Sequence, residues 1–136
     1  MKHNYEIKIY HADTDCYGIV WHGNYLRFCE QARCDFVEAM GKSMKDYESN
    51  GIYTPLIEAN IKYKHAAKVH DVLNIETFVE TLSPLRATML QKITNKLTGQ
   101  DVAEVTVSFV CTDTNGNLMR KMPPAMFDML DKMKNS

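Results

Sequence analysis

The sequence predicts an α+β domain in which one long helix is covered by a curved antiparallel sheet of five strands. Three observations carry that prediction. One long segment, from Gly23 to about Met40, repeats its apolar residues with a helical period. Four later segments alternate apolar and polar residues with period two. The last three of these are separated only by short turn signals, which suit hairpins and are too short for parallel crossovers.

At 136 residues the chain has the size of one domain, 1–136, able to bury its own core. It opens on a short strand, "YEIKIYH", with Tyr5, Ile7 and Ile9 on one side. In the helix, Tyr25, Phe28, Cys29, Ala32, Phe36 and Met40 form a stripe that Leu26 and Val37 widen, while Arg27, Gln31, Asp35 and Glu38 lie largely off it. Gly23 or Asn24 is the expected N-cap and Gly41 the expected stop. Alternation then runs through Ile57, Ala59, Ile61 and Tyr63, through Leu73, Ile75, Thr77, Val79 and Thr81, through Ala87, Met89, Gln91 and Ile93, and through Ala103, Val105, Val107, Phe109 and Cys111. Ser83-Pro84, Thr98-Gly99-Gln100 and Asn115-Gly116-Asn117 are the turns. "PPAMFDMLDKMKN" reads as a closing helix with Pro at its start and Lys near its end. Val72, Phe78 and Leu82 give the sheet apolar residues opposite Leu73, Ile75 and Val79, so a second copy is expected on that face, making a homodimer or homotetramer.

Composition narrows the function. Hydrophobic residues are 45% and charged residues 24%, with net charge -1, and no basic run offers a nucleic acid a landing site. Cys16, Cys29, Cys34 and Cys111 make no CxxC pair, so reduced thiols are expected. His3, His11, His22, His65 and His70 lack ligand spacing, so neither a metal nor a cofactor is expected. With no signal-peptide pattern and no membrane-length apolar run, a cytoplasmic location is expected.

The chemistry concentrates in "DTDCYGIVWHGNY", residues 13–25. A helix start carries unpaired N–H groups and partial positive charge, which stabilise an oxygen that turns negative during reaction. Asp15 precedes that start, Gly18 permits a tight bend, and His22-Gly23 fall where the free donors belong. The same residues also suit a plain cap and an Asx-turn, and spacing alone favours that reading.

The stretch "DTDCYGIVWHGNYLRFCEQAR" resembles the signature of hotdog-fold acyl-CoA thioesterases of the 4-hydroxybenzoyl-CoA thioesterase type, closest to the bacterial Tol–Pal-associated branch. Asp15, Gly18, Ile19, Val20, Trp21, His22, Asn24 and Tyr25 match it in order. "YKHAAKVHDVLNIET" is similar to the family's second signature, with Ala66-Ala67 where relatives commonly carry Pro, and "RKMPPAM" is similar to its ending. The resemblance implies an oligomeric hotdog fold with the site at a subunit interface, and hydrolysis of an acyl-CoA to a carboxylic acid and free CoA.

On the same resemblance, Asp15 is the carboxylate that attacks the thioester carbonyl or activates water. The backbone N–H near His22 polarises the carbonyl oxygen, a kind of contact whose loss typically costs about 3–4 kcal/mol. The His22 side chain is a second catalytic candidate, although relatives carry His or Tyr there. Tyr17, Gly18, Val20, Trp21, Gly23 and Tyr25 are expected to contact substrate. Lys62, Lys64, Arg86, Thr88, Arg120 and Lys121 are candidates for CoA, which enters as part of the substrate, and an acyl carrier protein is a possible donor of the same thioester. Two rival functions share the fold: a hydroxyacyl dehydratase built on His22 and Glu30, and a non-catalytic acyl-CoA or acyl-carrier-protein binder.

Overall fold

A computed structural model describes residues 2–135. Strand β1 (His3–Lys8) leads through a single 3-10 turn (His11–Asp13) to helix α1 (Asn24–Ala39), and a short helix α2 (Met44–Ser49) follows. Strands β2 (Leu56–Tyr63), β3 (Val72–Leu82), β4 (Arg86–Asn95) and β5 (Asp101–Val110) precede the closing helix α3 (Pro124–Lys134). The sheet order is β1-β3-β4-β5-β2, antiparallel throughout, so β3, β4 and β5 form the expected meander and β2 ends up at an edge.

Helix α1 buries Tyr25, Phe28, Cys29, Ala32, Phe36 and Val37, while Met40 is half-buried and Leu26 exposed. Its partners are the inward residues of the sheet, among them Leu73, Ile75, Val79, Met89, Ile93, Val105 and Val107. The helix ends in a Schellman motif. Gly41, at φ 83°, donates to the Glu38 carbonyl, and Lys42 donates to that of Val37. Glycine is the residue that takes this left-handed conformation without a Cβ penalty.

One polar side chain sits in the middle of this contact. Gln91 on β4 is fully buried and donates through Nε2 to the Cys29 carbonyl and to Thr77 Oγ1, each at 3.0 Å. Its Oε1 accepts from Arg33 Nη1 at 2.9 Å. The amide thus joins α1 to β3 and β4 with both donors and its acceptor in use, which is the condition under which a buried amide is tolerated. Arg33 therefore turns inward rather than pairing with Glu30 on the helix surface.

Three expectations need correction. The inward alternation expected for β2 is not a burial pattern: Ile57 and Tyr63 are exposed, and only Ile61 is half-buried, because β2 lies at the sheet edge with one side unpaired. The outer face is less apolar than expected. Phe78 stands beneath Lys92, whose Nζ is 5.6 Å from the ring centroid, and Glu76, Glu80 and Glu104 share that face. Helix α2 was not anticipated. Its signal was present in Ser43-Met44-Lys45-Asp46, where Ser43 is an N-cap whose hydroxyl accepts from the Asp46 N–H at 3.1 Å.

Helix α2 delivers Tyr47 into the core, and its hydroxyl is buried with no hydrogen-bond partner among the described residues. A buried hydroxyl in that state forfeits about 1–3 kcal/mol of hydration. Tyr47→Phe is therefore expected to leave the denaturant midpoint unchanged or raise it, by up to about 1 kcal/mol in unfolding free energy. A loss of more than about 1 kcal/mol in urea unfolding would mean that the hydroxyl has a partner in solution.

Candidate active site

The segment before α1 is a miniature hairpin. Thr14 bridges Val20, the Asp15 N–H donates to the Ile19 carbonyl at 2.9 Å, and the Gly18 N–H returns to the Asp15 carbonyl at 3.0 Å. Gly18 has φ 75°, so the bend needs glycine. The Asp15 carboxylate accepts the Tyr17 N–H on Oδ1 at 2.8 Å. The Asx-turn is therefore real and is made by Asp15 itself. Its Oδ2 has no partner among the described residues.

Asp13 ties this hairpin to the helix. Its carbonyl accepts from the Trp21 N–H at 3.0 Å and from Asn24 Nδ2 at 2.9 Å. Its carboxylate accepts from the Tyr10 N–H at 2.9 Å and from Arg27 Nη2 at 2.8 Å. Asn24 thus spends its side chain on the hairpin, and Gly23 is the N-cap with no side-chain cap. The Asn24 N–H is taken by the Trp21 carbonyl, whereas the His22 and Gly23 N–H groups have no acceptor among the described residues. Two free donors at the positive end of a sixteen-residue helix form an anion-stabilising corner.

Gly23 leaves room there for the Trp21 ring. A Cβ at this position would lie 2.4 Å from the Trp21 ring, which covers the glycine and also meets the His22 ring at 5.0 Å between centroids. Beside it opens a hollow of about 270 Å³, lined by Ile19, Val20, His22, Tyr25, Tyr63, Lys64, His65 and Ala66. Tyr63 was not anticipated as a site residue. Its hydroxyl donates to the His22 carbonyl at 3.0 Å and its ring stacks edge-on to Tyr25 at 5.7 Å. Only strand pairing brings it there, 41 positions along the chain from His22. The buried Ala67 accepts the Val20 N–H, so the Ala66-Ala67 crossing packs directly on the helix start. Burial raises the Tyr25 hydroxyl above its ordinary pKa, against a hydrogen bond from the Ala67 backbone. Tyr25 is thus a neutral wall and not a base.

The expected site residues divide into groups. Val20, His22, Tyr25 and Lys64 line one hollow. Asp15, Gly18, Trp21 and Gly23 form the turn and the donor corner next to it. Tyr17 is 83% exposed and is not in the wall of that hollow. The six CoA candidates do not come together in one protomer. Lys62 and Lys64 stand near Glu104 on β5, and Lys64 pairs with Glu104 at 3.4 Å. Arg86 lies opposite Val110, six positions along β5 and roughly 20 Å away. Arg120 and Lys121 are at that second end too, since the Met122 N–H donates to the Pro84 carbonyl. Thr88 bonds Ser108 at 2.8 Å. Among the described residues no group of three His, Cys, Asp or Glu could hold a metal ion, and no helix is long and apolar enough to cross a membrane.

Comparison with known proteins gives a consistent picture. Residues 9–130 match the model of the thioesterase-like superfamily. The chain is 28% identical over 128 residues to the long-chain acyl-CoA thioesterase FadM of Escherichia coli K12, covering 94% of this chain and 96% of that protein. It is 26% identical over 125 residues to the acyl-CoA thioesterase YbgC of Haemophilus influenzae, covering 91% and 87%. The crystal structure of a DHNA-CoA thioesterase from Staphylococcus aureus superposes with a TM-score of 0.90 at 28% identity, over 96% of this chain and 89% of that one.

Because Trp21 is the sole tryptophan, it reports on the donor corner directly. Gly23→Ala is expected to displace the indole, shift its fluorescence and reduce whatever turnover the corner supports, with the melting temperature lowered by only a few degrees. Unchanged emission and unchanged turnover would show that the ring does not seal against Gly23.

Proposed function

The chain belongs to the thioesterase-like superfamily, and from that premise we propose that it is an acyl-CoA thioesterase releasing a carboxylic acid and free CoA. The observation that carries the reading is the pairing of a carboxylate oxygen without a partner, Asp15 Oδ2, with two uncommitted N–H donors across a hairpin that Asp13 holds in place. Thioester hydrolysis needs those two functions on one carbonyl. Attack at carbon, by Asp15 or by water that Asp15 deprotonates, drives the electron pair onto oxygen. The His22 and Gly23 N–H groups, with α1 behind them, stabilise the oxyanion. Collapse of the tetrahedral centre then expels the CoA thiolate. If Asp15 is the nucleophile, the resulting anhydride is cleaved by a second addition of water. The His22 imidazole lines the hollow beside this carbonyl and is assigned the positioning of substrate or water.

The likeness of the opening motif to the Tol–Pal-associated enzymes supports that branch as the place of this chain, with an acyl carrier protein as a further thioester donor to be assayed beside CoA. A second copy is part of the proposal. Strand β2 leaves one edge unpaired and exposes Leu56, Ile57 and Tyr63, with Glu58, Lys62 and a bulge between Leu56 and Glu58 along the same strand. Pairing of β2 with β2 of another copy in antiparallel sense extends the sheet across a two-fold axis. It also brings the Lys62 and Lys64 end of one copy towards the Arg86, Arg120 and Lys121 end of the other. That is the arrangement in which the scattered cations could share one CoA.

Two measurements test this. Asp15→Asn should lower CoA release from acyl-CoA at least a hundredfold while preserving melting temperature and oligomer size, the range expected for loss of a nucleophile or general base. Turnover within a few-fold of the native enzyme would remove Asp15 from the chemistry. Ile61→Asp, on the β2 edge, should shift the particle to monomer mass in light scattering and abolish turnover with it. An active monomer would refute a shared site.

A further inference from the structure

Each of the two free donors belongs to a peptide unit whose carbonyl is already engaged. The His22 N–H shares its peptide with the Trp21 carbonyl, which accepts the Asn24 N–H at 2.9 Å. The Gly23 N–H shares its peptide with the His22 carbonyl, which accepts the Tyr63 hydroxyl at 3.0 Å. The first bond is made within the helix start and comes with it. The second comes from β2, and no backbone N–H takes that carbonyl among the described residues.

Tyr63 is held for this task from two sides. It pairs with Ala103 on β5, and the next residue, Lys64, donates its N–H to the Val102 carbonyl at 2.9 Å. Its ring meets the buried Tyr25, in the first turn of α1, edge-on. The residue is 53% exposed, so it contributes little to the core, and the bond to His22 is its most specific contact.

Resting on the thioesterase reading, we propose that Tyr63 is a positioning residue for the oxyanion, acting through the His22–Gly23 peptide. Two effects run in the same direction. A peptide is planar and trans, so its C=O and N–H point opposite ways. A phenol fixed on the carbonyl therefore fixes the direction of the Gly23 N–H, at a glycine whose backbone is otherwise permissive. The bond also draws electrons onto the carbonyl oxygen and leaves the N–H more positive, a relay that strengthens the next hydrogen bond by about 10–30%. The gain is largest when the acceptor carries negative charge. It therefore favours the tetrahedral oxyanion over the ground-state carbonyl, and raises kcat rather than substrate affinity.

Tyr63→Phe keeps the ring and deletes only the hydroxyl. One oxyanion donor contributes roughly a hundredfold to a thousandfold in kcat, and a relay of this size carries a tenth to three tenths of that on a logarithmic scale, or roughly twofold to eightfold. The variant should lose that factor in kcat equally with butyryl-, dodecanoyl- and benzoyl-CoA, at native KM and melting temperature. Unchanged kcat, a rise in KM alone, or a loss confined to one substrate would make Tyr63 a plain wall of the hollow and overturn the proposal. Replacing Tyr63 by 3-fluorotyrosine, a more acidic phenol, should raise kcat above native at a pH where the phenol is still protonated. A bond that only braces the loop would not reward acidity.

The relay also has a signature that needs no turnover. The chain has six glycines, so nitrogen-15 glycine labelling gives six backbone amide resonances. The Gly23 nitrogen should move in Tyr63→Phe while the other five hold their positions. An unmoved Gly23 resonance overturns the proposal whether or not the chain cleaves acyl-CoA. Failure of the native chain to release CoA from any of the three substrates counts against the thioesterase reading instead, and the amide spectrum still decides whether Tyr63 governs this peptide.

Discussion

The clasp made by Asp13 is the contact on which the proposed chemistry depends. Hairpin and helix start are separate local structures, and nothing in either alone sets the distance between them. The Asp13 carbonyl accepts from the Trp21 N–H and from the Asn24 side chain, while its carboxylate holds Tyr10 and Arg27. One residue therefore joins the strand end, the acid-bearing turn and the first turn of α1. Asp15, two positions on, can then keep one carboxylate oxygen for its own turn and leave the other free.

Helix α1 must itself be rigid for this to matter, and its rigidity comes from two sources of different kind. The apolar stripe supplies most of the driving force, since burial against the sheet scales with area and has no preferred register. Register comes from Gln91, whose amide fits only one placement of Cys29 and Arg33 over β4. A fully satisfied polar group inside an apolar contact contributes little net energy but penalises every misplaced alternative. The donor corner at the helix start is thus oriented from a point two turns away.

The position of β2 accounts for the division of the site. The sheet can cover α1 with β1, β3, β4 and β5, and β2 is left at the edge, its apolar residues exposed and its two ends attached to different hollows. Acid and donors are then at one end, the cation candidates divide between the two, and the two-fold pairing of β2 proposed above would bring opposite ends of two copies together.

Much of this was legible in the sequence. The period of 3.6 in residues 23–40 and the period of two afterwards set the element types, because each period reflects a local geometry that repeats along the chain. Gly18 and Gly41 marked a bend and a helix end, since left-handed backbone favours glycine wherever it occurs. Ser43 to Asp46 marked a helix start that went unread. The expectations that failed were those about which face is buried and against what. Ile57 and Tyr63 alternate just as core residues do, yet they stand at an edge, because alternation records the pleat and not the neighbour. Tyr17 lies inside the motif yet points away from the hollow. Tyr63, outside the motif, reaches the His22 carbonyl. The sequence by itself determined most of the elements and the turns, which follow from interactions within a few residues. Only the tertiary structure decided that Asp13 rather than a helix cap holds the site together, that Arg33 turns inward to Gln91, and that Tyr63 closes on the helix start. Each of those depends on contacts between residues distant in the chain, and no local pattern encodes the separation between them.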